Sequence, residues 1–211
     1  MTDPSSERRE TRREQLRQQT RVEILQAAAH LIAQKGVTSL SMDEVAALSG
    51  LSKGSLYNYF SNREELIWLV IDTYHQHFLE QALPLMESAA SFRERFTSLV
   101  DLTLASLDSE TGLAVVCDYF EEQVAKARYE VRSASGDNRN IMLNYVQQFH
   151  EQFAPFFASA LSSGEVRGSD AMSLSVTFTT TLFHLFEFTR LGLVHGNRDQ
   201  HREFVLSLFL P

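Results

Sequence analysis

Between Ser39 and Leu66 the chain reads SLSMDEVAALSGLSKGSLYNYFSNREEL, and few folds can accommodate that stretch. Ser41 followed three residues later by Glu44 is a capping box, and Val45, Ala46 and Leu48 give the helix it opens a small apolar face. Gly50 stands where that helix must stop and turn, a place that favours positive φ. Ser52 caps a second helix, predicted over Lys53 to Tyr59, with Leu51 and Leu56 anchoring it from below. A second capping box, Ser61 with Glu64, opens the next helix. Two short helices across a tight turn are the punctuation of a helix-turn-helix, whose second helix lies in the DNA major groove. That helix offers Lys53, Ser55, Tyr57, Asn58 and Tyr59, all hydrogen-bonding, beside Gly54, which lets the backbone come close.

The rest of the chain agrees with an all-α fold. Four prolines and nine glycines punctuate 211 residues, and no segment sustains strand alternation. Hydrophobic residues make up 44%, enough for a substantial core. The first helix is predicted from about Arg21 to Gln34, with Val22, Leu25, Ala28, Ala29 and Ile32 on one face. A long helix from Arg63 to Leu83 is expected to stop before Pro84. Ser91 with Glu94 caps a helix ending near Leu107, and Thr111 to Val131 gives one or two more. Asn138 to Leu161 forms a long helix with Pro155 as a kink, closed by Gly164. Ser169 caps a helix running to about Leu193, and a last one lies between Asn197 and Leu210. The single cysteine, Cys117, excludes an internal disulfide and fits a reducing cytoplasm. The polar first twenty residues contain no signal-peptide core, and the uncharged run from Ala171 to Phe186 is too short for a membrane span.

The segment from about Val22 to Leu66 resembles the DNA-binding domain of the TetR (tetracycline repressor) family of bacterial transcription regulators. The resemblance is carried by Ile24, Leu25, Ala27 and Ala28, by Gly36 and Val37, and by the runs Ser41–Ala46, Ser49–Phe60 and Arg63–Leu66. It covers about a fifth of the chain. It implies three parts: a flexible arginine-rich arm over residues 1–20, a three-helix DNA-binding domain over 21–66, and a larger helical effector-binding and dimerisation domain over 67–211. The implied function is that of a dimeric one-component regulator, a repressor that binds a palindromic operator in double-stranded DNA and is released by a small lipophilic effector. No cofactor or metal is expected. The resemblance assigns Tyr57 and Tyr59 mostly to phosphate or sugar contacts, and Lys53, Gly54 and Ser55 to the groove floor. Ser41 resembles a phosphate-binding cap, Ser52 and Asn58 belong to the same surface, and Arg63 stands where many members carry a backbone-contacting lysine. An acid at Asp43 would repel phosphate or accept from cytosine N4, so no base contact is carried onto it.

Charge is unevenly divided. Residues 1–65 hold nine basic and nine acidic side chains, so the whole net charge of −8 falls on the remainder. Arg8, Arg9, Arg12, Arg13, Arg17 and Arg21 precede the first helix core; such an arm can track phosphates, enter a neighbouring minor groove, or stay a solvated tail. A palindrome needs two reading helices related by a twofold axis, roughly 34 Å apart. The expected dimer surface comes from the helices that contain Phe149, Phe153 and Phe156, and Leu182, Phe183, Phe186, Glu187 and Arg190, because a helix apolar nearly all round must be covered on two sides. Candidate effector-lining residues are Trp68, Phe96, Leu99, Thr103, Tyr119, Phe120, Phe149, His150, Phe153, Phe178, Thr181 and His184. Each of these aromatics could equally be ordinary core, and Glu187 could simply pair with Arg190.

Two other classes of function stand beside this one. A helix-turn-helix regulator without an effector would show a solidly packed second domain. A helical enzyme would need a catalytic motif, but the chain has no G-x-S-x-G elbow, no glycine-rich phosphate loop and no H-E-x-x-H. His184 with Glu187 supplies only half of a di-metal carboxylate set.

Overall fold

The structure is a computed structural model that describes residues 4–108, 116, 119 and 137–210, with side chains described for Arg9, from Thr11 onward in the first helix, and from Gln147 onward in the helix that opens at Asp137. In chain order it contains α1 (Pro4–Lys35), a 3-10 turn (Val37–Ser39), α2 (Met42–Leu48), α3 (Lys53–Leu56), α4 (Arg63–Glu87), α5 (Phe92–Leu107), α6 (Asp137–Ser163), α7 (Ala171–Arg190) and α8 (Arg198–Phe209). Val116 and Tyr119 are also helical. The helices expected over Thr111–Val131, and with them Cys117 and Phe120, otherwise lie outside the described residues. No strand occurs among the described residues. None of the helices found there is long and apolar enough to cross a membrane.

The chain forms two compact units, Met1–His75 and Gln76–Pro211. In the first, residues 4–20 are helical and continuous with the rest of α1, so the helix expected from about Arg21 extends back through the arginine-rich segment. Arg, Glu and Gln are good helix formers, and side-chain pairs four apart, Gln18 with Glu14 and Gln19 with Glu23, reinforce the turns. The buried face is also rotated. Ile24, Ala27, Ala28, Ala29 and Ile32 are covered, whereas Val22 is 51% exposed. Leu66, Ile67, Val70 and Ile71 in the early turns of α4 are buried too. They carry the first unit past residue 66.

Helix ends follow local chemistry more closely than the capping motifs alone suggest. Ser91 and Glu94 make both halves of their capping box, as do Asn197 and Gln200. The cap of α4 is Asn62 rather than Ser61: the Asn62 side chain accepts from the Glu65 N–H at 2.8 Å, and Glu65 accepts from the Ser61 N–H. Likewise Asp170 rather than Ser169 caps α7, accepting from the Ser173 N–H at 2.8 Å. Three accepted hydrogen bonds hold the Asp170 carboxyl below its usual range, the Ser173 N–H being the largest contribution. α4 continues through Pro84 to Glu87. The proline sits one turn from the end, where few bonds are at stake, and Arg95 donates to the free Met86 carbonyl at 2.6 Å.

The core of the second unit is aromatic. Phe96 on α5 stacks with Phe92 at 5.6 Å between ring centroids, and lies 5.5 Å from Phe178 on α7 and 5.2 Å from Phe209 on α8. Phe157 on α6 lies 6.0 Å from both Phe178 and Phe209. Apart from the stacked Phe92–Phe96 pair, these rings meet tilted, an arrangement their quadrupoles favour over a face-to-face sandwich. Polar bonds fasten α8 to α5: Arg198 donates to the Asp101 carbonyl at 2.7 Å, and Arg202 meets the Asp101 carboxylate at 3.0 Å.

Burial pushes the His75 imidazole down to about 4, against a smaller opposing pull from Asp72, and pushes His150 in the same direction. A histidine kept neutral by the fold takes its proton only in the unfolded chain, where it titrates near 6.5. Stability is therefore whole above pH 6.5 and declines as pH falls from there toward 4. Urea midpoints measured from pH 7 to pH 5 should fall for the wild type and fall less steeply for His75→Gln. Parallel slopes would remove His75 as a source.

Candidate nucleic-acid interface

α2 and α3 present the polar surface expected of a reading head, with differences at its edges. Ser41 is the α2 cap by backbone position, but its side chain makes no cap bond. The anticipated capping box is absent because Lys35 of α1 takes the Glu44 carboxylate. Gly50 has φ 68°, so the turn after α2 uses the conformation only glycine adopts freely. Ser52 caps α3, accepting from the Ser55 N–H at 3.1 Å.

α3 is a single α-turn that tightens after Leu56 instead of running as α-helix to Tyr59. The Asn58 N–H reaches Ser55 and the Tyr59 N–H reaches Leu56, both three residues back. Such tightening closes a helix whose last carbonyls would otherwise lack donors. Leu56 and Phe60 are wholly buried beneath this turn, and Leu51 is half-buried. Above them Lys53, Gly54, Tyr57 and Asn58 are exposed, Tyr57 at 44%, while Ser55 and Tyr59 are half-buried. A Cβ on Gly54 would meet nothing within 4 Å, so the backbone there is open to an approaching surface.

Asp43 on α2 holds Lys53 at 2.9 Å. The hydrogen bond that Lys53 donates to this carboxylate, followed by the carboxylate's charge, raises the lysine above its ordinary range. The reading surface thus carries a preformed ion pair, whose acid can accept a hydrogen bond and whose lysine stays charged.

Arg63 does not project from the surface. Its Nε donates to the Leu40 carbonyl at 2.8 Å, and its Nη2 donates to the carbonyls of Val37 and Thr38. Three of its hydrogen bonds thus go to the segment entering α2. Arg21 plays a similar part, donating to the Tyr59 carbonyl at 3.4 Å and lying 4.8 Å above the Phe60 ring. No sequence motif marks either anchor, because each arginine meets carbonyls more than twenty residues away.

The effector and dimer candidates divide sharply. Phe96, Leu99, Phe153 and Phe178 are fully covered and belong to the aromatic core. Thr103 bonds the Leu99 carbonyl within its own helix, Thr181 is half-buried, and His184 is exposed with Nδ1 on the Thr180 carbonyl. Trp68 belongs to the first unit and Tyr119 is half-buried. His150 is buried with Nδ1 3.1 Å from the Ser175 hydroxyl, a pairing between α6 and α7 that sequence spacing could not reveal. Phe149, beside it, is half-buried.

Of the expected dimer residues, Phe153, Phe156 and Leu182 are buried within their own unit, where Phe153 lies 6.4 Å from Phe78 and Phe156 4.9 Å from Phe92. Glu187 is buried and Arg190 donates to it at 2.9 Å, as an internal pair. Phe183 and Phe186 are half-buried. The exposed apolar residues on α7 are instead Met172, Val176 and Phe188. Met172 and Val176, one turn apart, mark an outer face, and Phe188, about 160° round the helix from Met172, lies on another side.

Residues 24–68 match the family described as bacterial regulatory proteins, tetR family. The HTH-type transcriptional repressor KstR2 of Rhodococcus jostii is 22% identical over 157 residues, covering 74% of this chain and 70% of that protein. The uncharacterized HTH-type transcriptional regulator YfiR of Bacillus subtilis is 30% identical over 147 residues, covering 68% and 66%. Among solved structures, AibR in complex with isovaleryl coenzyme A and operator DNA superposes with a TM-score of 0.67 at 20% identity, covering 91% of this chain and 99% of that one.

Proposed function

We propose, from the premise that this chain is a transcriptional regulator belonging to the tetR family of bacterial regulatory proteins, that it is a dimeric repressor released from a palindromic operator by a small lipophilic effector. The observation that carries the DNA-binding part is the exposed Lys53–Asn58 turn over its buried Leu56 and Phe60 floor. Residues 21–66 read the operator and residues 67–211 sense and dimerise. Tyr57, Asn58, Lys53, Ser55 and the Gly54 backbone meet the duplex, with Tyr59, Ser52 and Ser41 at the margins.

The partner subunit packs on the outer face of α7, where Met172, Val176 and Phe183 recur at spacings of four and seven. The effector lies in the second unit near His150, Ser175 and half-buried Phe149, a polar pair within an aromatic surround. A lipophilic thioester class is supported by AibR, whose complex holds isovaleryl coenzyme A. α4, unbroken from Arg63 to Glu87, carries the response toward the DNA. The protein binds without turnover, and it works in the cytoplasm.

The test begins with a duplex enriched from a random-sequence pool by the wild-type protein. Tyr57→Ala should bind that duplex about tenfold more weakly, on the order of 1.4 kcal/mol, while sedimenting as the wild type does. Equal affinity for the two proteins would overturn the interface.

A further inference from the structure

The first unit contains a basic surface that the reading head does not use. Arg9, Arg13, Arg17 and Arg21 follow one another at intervals of four along α1, and Arg12 lies beside them. Arg9, Arg12, Arg13 and Arg17 are exposed. Other described cations of this unit have internal partners: Arg21 on Tyr59 and Phe60, Lys35 on Glu44, Lys53 on Asp43, and Arg63 on the carbonyls before α2. No ion pair among the described residues engages Arg9, Arg12, Arg13 or Arg17. Glu14, the described acid among them, is taken by Gln18 at 2.8 Å.

Helix geometry fixes the direction of this row. At about 100° per residue, Arg17 and Arg21 lie within about 20° of the direction of fully buried Ala28 and Arg13 about 60° from it, while Arg9 stands about 100° and Arg12 about 160° away. Arg13 and Arg17 therefore extend the face that α1 turns toward α2, and Arg9 lies at its flank. Arg21, its inner end, is already tied to the turn after α3. From Arg21 to Arg9 the helix rises about 18 Å. A rigid rod holds these guanidinium groups at fixed spacing, so ordering them costs less than ordering a loose tail.

We propose that the Arg9–Arg13–Arg17 row of α1 is a second DNA-binding surface that grips backbone phosphates flanking the half-site read by α3. The proposal rests on the DNA-binding reading above. Duplex DNA is the occupant because Arg13 and Arg17 continue the face of the unit that carries the reading turn, and because guanidinium groups with no ion pair among the described residues match phosphate oxygens in charge and geometry. It predicts a footprint longer than the bases read, and no change in the sequence preferred.

The experiment uses the full chain, the enriched duplex, and the same duplex trimmed to its core half-sites. The variant replaces Arg9, Arg13 and Arg17 by Gln, which keeps helix propensity while removing charge. On the long duplex the variant should bind on the order of 100-fold more weakly at 0.1 M salt, with a log–log salt slope shallower by about three per chain. The trimmed duplex should bring wild type and variant to similar affinity, and both should enrich the same core sequence. Equal salt slopes on the long duplex would overturn the proposal, whatever Tyr57→Ala shows. Failure of the wild type to enrich any duplex would instead overturn the DNA-binding reading itself. Binding to phosphatidylserine vesicles that is lost in the variant, with DNA affinity unchanged, would assign the face to a membrane and overturn the proposal.

Discussion

Phe178→Ala is expected to lower the unfolding free energy of the second unit by about 3–5 kcal/mol, the range found when a fully buried phenylalanine is truncated and its neighbours cannot collapse. Phe178 has neighbours on three other helices: Phe96 of α5 at 5.5 Å, Phe153 and Phe157 of α6 at 6.4 and 6.0 Å, and Phe209 of α8 at 6.1 Å. Its removal takes one ring contact from each at once. Relaxation is limited because those rings also brace one another, as Phe96 does with Phe209 and Phe157. Phe188→Ala on the same helix removes the same atoms from a ring that is 43% exposed, so in the isolated subunit it should cost far less. Urea unfolding of both variants below the dimerisation concentration separates the two. A loss under about 1 kcal/mol for Phe178→Ala would mean that the ring cluster repacks freely.

Arg63→Met should cost about 2–3 kcal/mol and also depress DNA affinity, although its side chain is turned away from the reading surface. Hydrogen bonds from a charged donor are worth about 1.5–3 kcal/mol each, here reduced by partial exposure. The larger consequence is positional. The carbonyls of Val37, Thr38 and Leu40 lie just ahead of α2, and the guanidinium fixes where that helix starts. Arg63→Lys should recover little, since an ammonium cannot fork across separate carbonyls. Thermal unfolding gives the stability, and binding to the enriched duplex at a temperature where the variant remains folded gives the affinity. Full affinity in a destabilised Arg63→Met would show that α2 is placed by packing alone.

How much of this was legible depended on how local the cause was. The Ser52 cap of α3, the Ser91–Glu94 capping box and the glycine turn at Gly50 are decided within a few residues, and the structure reproduces them. Where a distant group competes, the local motif loses. Glu44 could have closed a capping box with Ser41, but Lys35 from another helix takes its carboxylate. Arg63 sits at a position associated with DNA in sequence, and three carbonyls some two dozen residues earlier claim it. The apolar residues of α6 and α7 were evident as a set. Which of them faced inward was not, because a helix apolar on several sides gives no sign of which side meets its own unit. His150 and Ser175 are far apart in sequence and meet only because α6 packs on α7.

α8 has one further consequence. With Arg198 and Arg202 holding Asp101, and Phe209 seated among Phe96, Phe157 and Phe178, this short amphipathic segment works as a clasp on the aromatic core. Peptide bonds cleaved between Gly192 and Asn197 would leave that clasp held only by its own contacts. Its release would wet the rings it covers and loosen the second unit while the first stayed whole.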